Sequence, residues 1–576
     1  MSTDSRSALL NRRQLLCGTA MALPLLNMPL WAATKPTSPS RSTQAFHLLR
    51  QPDLVRVFLG EAEDDMHTCE PSGSGWSAAG VELDFNLHED KASIILHAPK
   101  VATRRLHLRW KGALSEELLV LGDAWERSYG DLAWLPMQAE RCLPWYCLLH
   151  GSDSTFGMGV ATGAAAFAFW QVDPAGVSLW LDVRSGGNGV LLGDRALNVA
   201  TLVTASSSSG ESAFETTRQL CRRMAAFPTN AAKLARDKQA RVLYGSNDWY
   251  YAYGHNSPEA LLRDADLVRE LAPAGSARPF TVIDDGYQDK SRFPDMQKLA
   301  AQIRSRDVKP GVWIRPLRAA ASTKPSLLLP AGRFGSQRGH AAPAFDPTNP
   351  EALVAILDVV REACAWGYDL IKHDFSTFEL FGQWGSGMGT SPVVNGWSFQ
   401  DRSKTNAEIV SELYRGIRSA AGEERLIIGC NTVGHLAAGL FDGQRTGDDV
   451  SGRQWERTRR MGVNTLGFRL AQNGIFFAID PDCVPITHDI PWSYTRQWLD
   501  VVANSGSVLL ISPEQGVVGT EQKQAIRAAF RQCVTSQQPS VPVDWTHIRT
   551  PQEWAAGSKR QSYSWISPEG ASPFGV

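Results

Sequence analysis

Residues 370–376 read "LIKHDFS": two apolar residues lead straight into Lys372, His373 and Asp374. A carboxylate buried alone is costly, so a structural strand gains nothing from such an ending unless the charges meet partners in a shared cleft. Other apolar runs close the same way. Asn247, Asp248 and Trp249 end one run, Asp284 and Asp285 another, and Trp313 and Arg315 a third. Cys430 with Asn431, Arg445 with Asp448 and Asp449, and Asp480 with Asp482 complete the set. Brought together, these side chains would form a carboxylate-rich pocket with one lysine, two arginines and aromatic walls. Histidines do not cluster in it, which disfavours a metal hydrolase; cleavage by two carboxylates needs neither a metal nor an organic cofactor, and none is expected. Carboxylates without a metal suit glycosidic bonds: the oxocarbenium-like transition state needs an anion beneath the anomeric carbon and an acid beside the leaving oxygen.

Positioning them requires a fold whose strands all end on one face. From residue 239 to 535, eight β-like runs alternate with loops and mostly helical segments, such as "RPFTVIDDGY" before "PDMQKLAAQIRSR". Strands alternating with helices imply a parallel sheet, and roughly 300 residues with eight repeats is the size of a (β/α)8 TIM barrel, whose active site lies at the C-terminal ends of the strands. Residues 40–210 differ in texture. Short alternating runs such as "ASIILHA" and "SLWLDV", separated by Gly, Asp, Asn and Ser, predict an N-terminal β-sandwich. Residues 211–238 read as a helical connector, and the Pro-rich 536–576 as a short β-rich C-terminal segment. The expected fold is multidomain, with the barrel in the middle.

At this point the motifs resemble the α-galactosidase (melibiase) clan, family 36-like with family 27 features. "LIKHDFS" resembles the clan's Lys-x-Asp strand end, "VIDDGYQ" its Asp-Asp-Gly segment, and "SNDWYYAY" its first-strand tryptophan motif. "RTGDDVSGRQW" is similar to its Arg-x-x-x-Asp acid/base motif and "IDPDC" to its Asn-Asp-Pro-Asp stretch; "GCNTVGH" stands where family 36 has Cys-Ser-Gly-Gly. The motifs run in family order over residues 241–485. The resemblance implies a retaining hydrolase with Asp374 as nucleophile and Asp449 as acid/base, Asp448 being the alternative. It implies substrate contacts from Trp249, Asp284, Asp285, Trp313, Lys372, Cys430, Asn431, Arg445 and Asp448. Lys372 would keep Asp374 ionised, Arg445 would hold sugar or carboxylate, and Asp284 and Asp285 would accept from O4 and O6. The bland alternatives are a turn for Asp284 and Asp285, core packing for Trp249 and Trp313, and loop caps for Asp480 and Asp482.

Arg315 stands where the family has a glutamate, Tyr287 where it has a tryptophan, and "CNTVGH" lacks the family's glycine run. The sugar therefore stays open between an α-galactoside, an α-N-acetylgalactosaminide and a β-L-arabinopyranoside. A raffinose-type galactosyl transferase and a non-catalytic carbohydrate-binding barrel are the rival readings.

The resemblance implies a glycoside or oligosaccharide as the partner. With 58 basic and 59 acidic side chains the formal charge is −1, which favours neither nucleic acid nor a membrane surface. An oligomer is possible. Residues 1–33 carry Arg12 and Arg13, a short apolar stretch and the small residues Ala32 and Ala33, the pattern of a Tat-like signal peptide; a periplasmic or secreted location is expected. Nine cysteines include no Cys-x-x-Cys pair, and Cys142 with Cys147 is the one pair close enough in sequence to examine as a disulfide.

Overall fold

In the strand Val81–Leu87 the residues Val81, Leu83 and Phe85 are buried and those between them are not; in Lys91–His97 the buried set is Ala92, Ile94 and Leu96. A strand turns alternate side chains to opposite faces, so this pattern commits one face to the core. The two pair antiparallel with Phe85 opposite Ile94. The computed structural model describes residues 49–572 apart from 61–64, 153, 209, 227–242, 341 and 537. Within them, strands between Leu54 and Ser206 form two antiparallel sheets, of six and nine strands. Their buried faces share one hydrophobic cluster, with Leu106, Leu108 and Trp110 from the first and Ile94, Leu148 and Leu202 from the second.

A helix follows, Ala213–Met224, with the Ser212 hydroxyl accepting from the Glu215 amide at 3.3 Å. It lies close on the strand Thr155–Val160 because that strand offers glycine beneath it. A Cβ on Gly157 would stand 2.9 Å from Leu220, and one on Gly159 2.5 Å from the Met224 sulfur. Residues 227–238 of the expected connector and the signal segment lie outside the described residues.

The second half contains a nine-strand parallel sheet of TIM-barrel type. Its strands, in chain order, are Tyr244–Asn247, Phe280–Ile283, Lys309–Ile314, Leu370–His373, Leu426–Gly429, Gly443–Arg445, Ala478–Asp480, Val484–Ile486 and Leu509–Pro513. Phe280–Ile283 and Leu509–Pro513 are buried on both faces and read as almost continuous apolar runs rather than alternating ones. The seventh run is split. Ala478–Asp480 pairs with the sixth strand, Val484–Ile486 pairs with Leu509–Pro513, and Asp482 between them has φ +75°. The Val508 amide donates to the Ile479 carbonyl at 2.9 Å and so links the two sides of the break.

The run "RQWERTRRMGVNTLGFRLA" after the sixth strand is not a uniform helix. It is α-helical over Trp455–Thr458, a π-helix over Arg459–Asn464, and α-helical again over Thr465–Arg469. Outside partners hold the wide turn: Asn464 donates to the carbonyls of Leu132 and Arg549, and the Trp498 indole would lie 2.9 Å from a Cβ on Gly462. At the end of the chain, Val541–Pro542, Glu553–Ala556 and Lys559–Ser562 form a small antiparallel sheet. Trp554 and Trp565 are fully buried there, and the Trp565 carbonyl accepts from the Trp455 indole at 2.8 Å. Among the described residues no helix is long and apolar enough to cross a membrane.

The helix Ser376–Phe381, directly after the fourth strand, ends at Gly382 with φ +68°. A Cβ there would meet the Arg333 carbonyl oxygen at 2.4 Å. Gly382→Ala should therefore lower stability by at least about 1 kcal/mol, the cost of left-handed backbone at a non-glycine residue. A denaturant midpoint equal to that of the parent chain would show that this helix end relaxes freely.

Candidate active site

Side-chain parity explains why the charged residues meet. Leu370 belongs to a small cluster with Val282, Ile428 and Leu510, one residue from each of four barrel strands, whereas its neighbour Ile371 packs in the larger cluster. Leu370 thus faces the barrel interior, and every second residue beyond it does the same: Lys372, then Asp374. Equal spacing from Val282 gives Asp284, and from Ile428 gives Cys430. His373 points the other way. It bonds Ser376, lies edge-on to Tyr414 and Phe441, and burial pulls its pKa down to about 4, so it is a neutral core residue.

Asp374 is buried but fully solvated by protein. Its Oδ1 accepts from the Phe375 amide at 2.7 Å and the Asn431 amide at 2.9 Å, and its Oδ2 from the Trp313 indole at 2.9 Å. Burial pushes this carboxyl up, but the charges of Arg127 and Lys372 and the indole bond outweigh it and hold Asp374 below its ordinary value. Phe375 pays for that amide with φ +63°. Lys372 acts on Asp374 through charge alone. Its Nζ bonds Asp284 Oδ2 at 2.7 Å, which also accepts from Asn247 at 2.8 Å.

Asp449 differs in kind. It keeps 40% of its side chain open, and its Oδ1 lies 3.1 Å from Arg445 Nη2 and 3.7 Å from Arg127 Nη1. Burial pushes its carboxyl up, yet Arg445, Arg127, Lys372 and Arg457 together hold it down at about 2. Asp374 and Asp449 are near enough that each charge raises the cost of the other. Asp448 is instead enclosed by two guanidinium groups, Arg127 at 3.2 Å and Arg457 at 2.7 Å.

Arg445, read from sequence as a sugar or carboxylate clamp, has no exposed surface. Its guanidinium is occupied by Asp482 Oδ2 at 2.7 Å, Asp449 and the Cys430 sulfur at 3.4 Å, so it clamps protein carboxylates. Asp482, left open as a loop cap, also binds Tyr250 and the Val450 amide, and it is part of the site. Asn431 has its side chain occupied as well: the carbonyl accepts from Phe378 N, and the amide donates to Glu126 at 2.7 Å. Trp249 and Asp285 are half-buried at the rim, and Cys430 is buried. Arg315 lies 4.0 Å over the Phe375 ring and pairs with buried Glu379 at 2.6 Å. All eight described cysteines are free: Cys142 donates to the Gly389 carbonyl and Cys147 is buried in a strand, so this pair forms no disulfide.

Sequence reasoning missed Glu126, Arg127 and Tyr129, which arrive from the N-terminal sheets. The "DAWERSYGD" segment carries a compact run of charges between two strands, the one signal that marked it. A cavity of about 140 Å³ opens beside these three residues, bounded by Gly385 and Gly389; neither Asp374 nor Asp449 lines it.

No protein-family model matches the sequence. Among solved structures, an α-galactosidase from Thermus thermophilus in complex with p-nitrophenyl α-D-galactopyranoside matches with a TM-score of 0.55 at 18% identity, over 89% of this chain and 99% of that one. A family 36 α-galactosidase from Geobacillus stearothermophilus in complex with stachyose matches at 0.53 and 13% identity, over 87% and 77%. An α-galactosidase from Lactobacillus brevis matches at 0.51 and 11%, over 90% and 75%. The chain has the fold of the α-galactosidase-like glycoside hydrolases. Within this fold, the buried carboxyls beyond the two central aspartates set a pH dependence of their own.

Asp248 is wholly buried; its Oδ1 accepts from the Asp284 amide, and its Oδ2 has no partner. Burial and the Asp284 charge push it up to about 7. Burial also raises Glu379 to about 7 and Asp480 to about 6. A carboxyl that keeps its proton only in the folded chain gives stability below its unfolded pKa, near 3.8 for Asp248, and that stability is lost as pH rises through about 7. Asp248→Asn should therefore flatten the fall in unfolding free energy between about pH 4 and pH 7, at about 1.4 kcal/mol per pH unit of slope removed. Denaturant titrations at the two pH values check this, and an unchanged slope would count against a protonated Asp248.

Proposed function

We propose that the chain is a retaining glycoside hydrolase that removes terminal α-D-galactosyl or closely related residues through a covalent glycosyl-aspartate intermediate. The observation that carries this reading is the contrast between two inward-facing carboxylates, Asp374 sequestered and ionised, Asp449 open to solvent. The Thermus and Geobacillus proteins of the same fold, seen with a galactoside and with stachyose, support the galactosyl class.

In the first step, Asp374 attacks the anomeric carbon while Asp449 gives its proton to the departing glycosidic oxygen. Two backbone amides fix Asp374 Oδ1, which leaves Oδ2, with a single indole donor, as the attacking oxygen. In the second step, Asp449 takes a proton from water, the water oxygen bonds to the anomeric carbon, and the bond to Asp374 breaks. Asp449 is preferred over Asp448 because two arginines already saturate Asp448. Trp249 and Asp285 at the rim, and Trp313 with Asp284 deeper in, are the expected sugar-facing groups.

Asp374→Asn should abolish turnover of a p-nitrophenyl α-galactoside without unfolding the protein, and retained activity would refute the assignment. Asp449→Asn should cost about 10²–10⁴-fold on an unactivated galactoside and far less on the activated aryl one, where the leaving group needs little protonation. Asp448→Asn should show no such dependence on the leaving group. Only the protonated acid can serve the first step, and the cations hold Asp449 below the usual carboxylate range. Hence kcat/KM on an unactivated galactoside should fall as pH rises from about 4 to about 8; an alkaline optimum would contradict Asp449 as acid. A panel of aryl α-glycosides then identifies the sugar.

A further inference from the structure

Arg127 comes from residues 123–134, between the N-terminal strands Leu119–Gly122 and Leu135–Pro136, and is 5% exposed. Backbone bonds dock this loop on the sixth barrel strand: Ser128 N donates to Thr446 O at 3.0 Å, and Asp448 N donates to Ser128 O at 2.9 Å. Arg469 spans the carbonyls of Glu126 and Thr446 at 2.8 and 2.9 Å. Glu126, with no exposed surface, supports the guanidinium, its Oε2 lying 3.3 Å from Arg127 Nε. Its own carboxylate is fixed by Asn431, Tyr129 and the Gly385 amide, which joins the loops after the fourth and fifth strands to the same point.

Resting on the glycosidase reading above, we propose that Arg127 is a positioning residue for Asp449, so that the site is complete only when the N-terminal loop is docked on the barrel mouth. A purely structural ion pair would end at Asp448. Arg127 instead turns one Nη to Asp448 and the other to Asp449, whose Oδ1 Arg445 also holds. Oδ1 is thereby gripped between two guanidinium groups, and Oδ2 is left for the glycosidic oxygen. The planar fork matters, because an ammonium cannot span two carboxylates with fixed geometry.

Arg127 also acts through charge. Asp449 faces Arg445 from the sixth strand, Lys372 from the fourth, Arg457 from the following helix, and Arg127. Against these stand Asp374 and Asp448, with Tyr250 and Asp482 behind Arg445. Removing one cation of four should raise the pH at which Asp449 loses its proton, without abolishing the pairing.

The test compares full-length wild type, Arg127→Gln and Arg127→Lys on an unactivated α-galactoside and on p-nitrophenyl α-galactoside across pH. Arg127→Gln should move the falling alkaline limb of kcat/KM upward by about one pH unit. Arg127→Lys should leave the limb in place yet lower kcat severalfold on the unactivated substrate, with KM little changed. A folded Arg127→Gln with the wild-type limb would overturn the inference. So would an Arg127→Lys with wild-type kcat, which decides the matter even if the glutamine variant does not fold. Wild type inactive on every aryl glycoside of the panel would instead bring down the glycosidase reading, and this inference with it; active wild type with indifferent variants defeats the inference alone.

Discussion

A charge removed from water must find a counter-charge, and the mouth of this barrel is organised by that requirement. Nine-tenths-buried Asp284, Lys372, Arg445, Asp482 and Arg127 would each be destabilising alone, by several kcal/mol per ion. None of them stands alone. Lys372 neutralises Asp284, Arg445 bridges Asp482 and Asp449, and Arg127 bridges Asp448 and Asp449. Shared guanidinium groups tie the carboxylates of the sixth and seventh strands together, while truncating Lys372 would leave Asp284 buried without a counter-charge.

The backbone bears part of this organisation. Phe375 and Asp482 both adopt left-handed φ without being glycine, and each lies at a carboxylate of the site. At Phe375 the turned amide reaches Asp374 Oδ1; at Asp482 the turn breaks the seventh strand and lets one carboxylate meet Arg445, Tyr250 and the Val450 amide. Left-handed conformations at such residues cost of order 1–3 kcal/mol each and persist where surrounding contacts over-determine them. Here those contacts are hydrogen bonds to ionised groups, which are stronger than neutral ones.

How much of this was legible in the sequence follows from the range of the interactions. The parallel sheet was legible because apolar runs and helical periodicity are local. The inward set from Asp284 to Asp480 was legible because parity along a strand is local too. Arg445 was read as a clamp for sugar or carboxylate, but which carboxylates it holds was not legible: Asp482 lies thirty-seven residues on, and Arg127, which shares Asp449 with it, more than three hundred residues back. The π-helical turn at Arg459–Asn464 was hidden because its partners, Leu132, Trp498 and Arg549, lie in three other parts of the chain. Glu126 and Arg127 were hidden for the same reason. In sequence they are two charges in a surface-like loop, and only docking on the barrel makes them interior.

The two central carboxylates show how similar side chains come to behave differently. Both are aspartates facing one interior, and cations hold both below their ordinary values. For Asp374 three N–H donors hold the charge and direct it by backbone and indole geometry. For Asp449 the holding groups are guanidinium ions on one oxygen only, while the other side stays wet. Water can leave that side when a sugar enters, and excluding it raises the cost of keeping the charge. An aspartate held by ions and solvent can therefore change protonation during a reaction, whereas one held by amides and an indole cannot do so cheaply. The division of labour between them follows from the kind of donor each one faces.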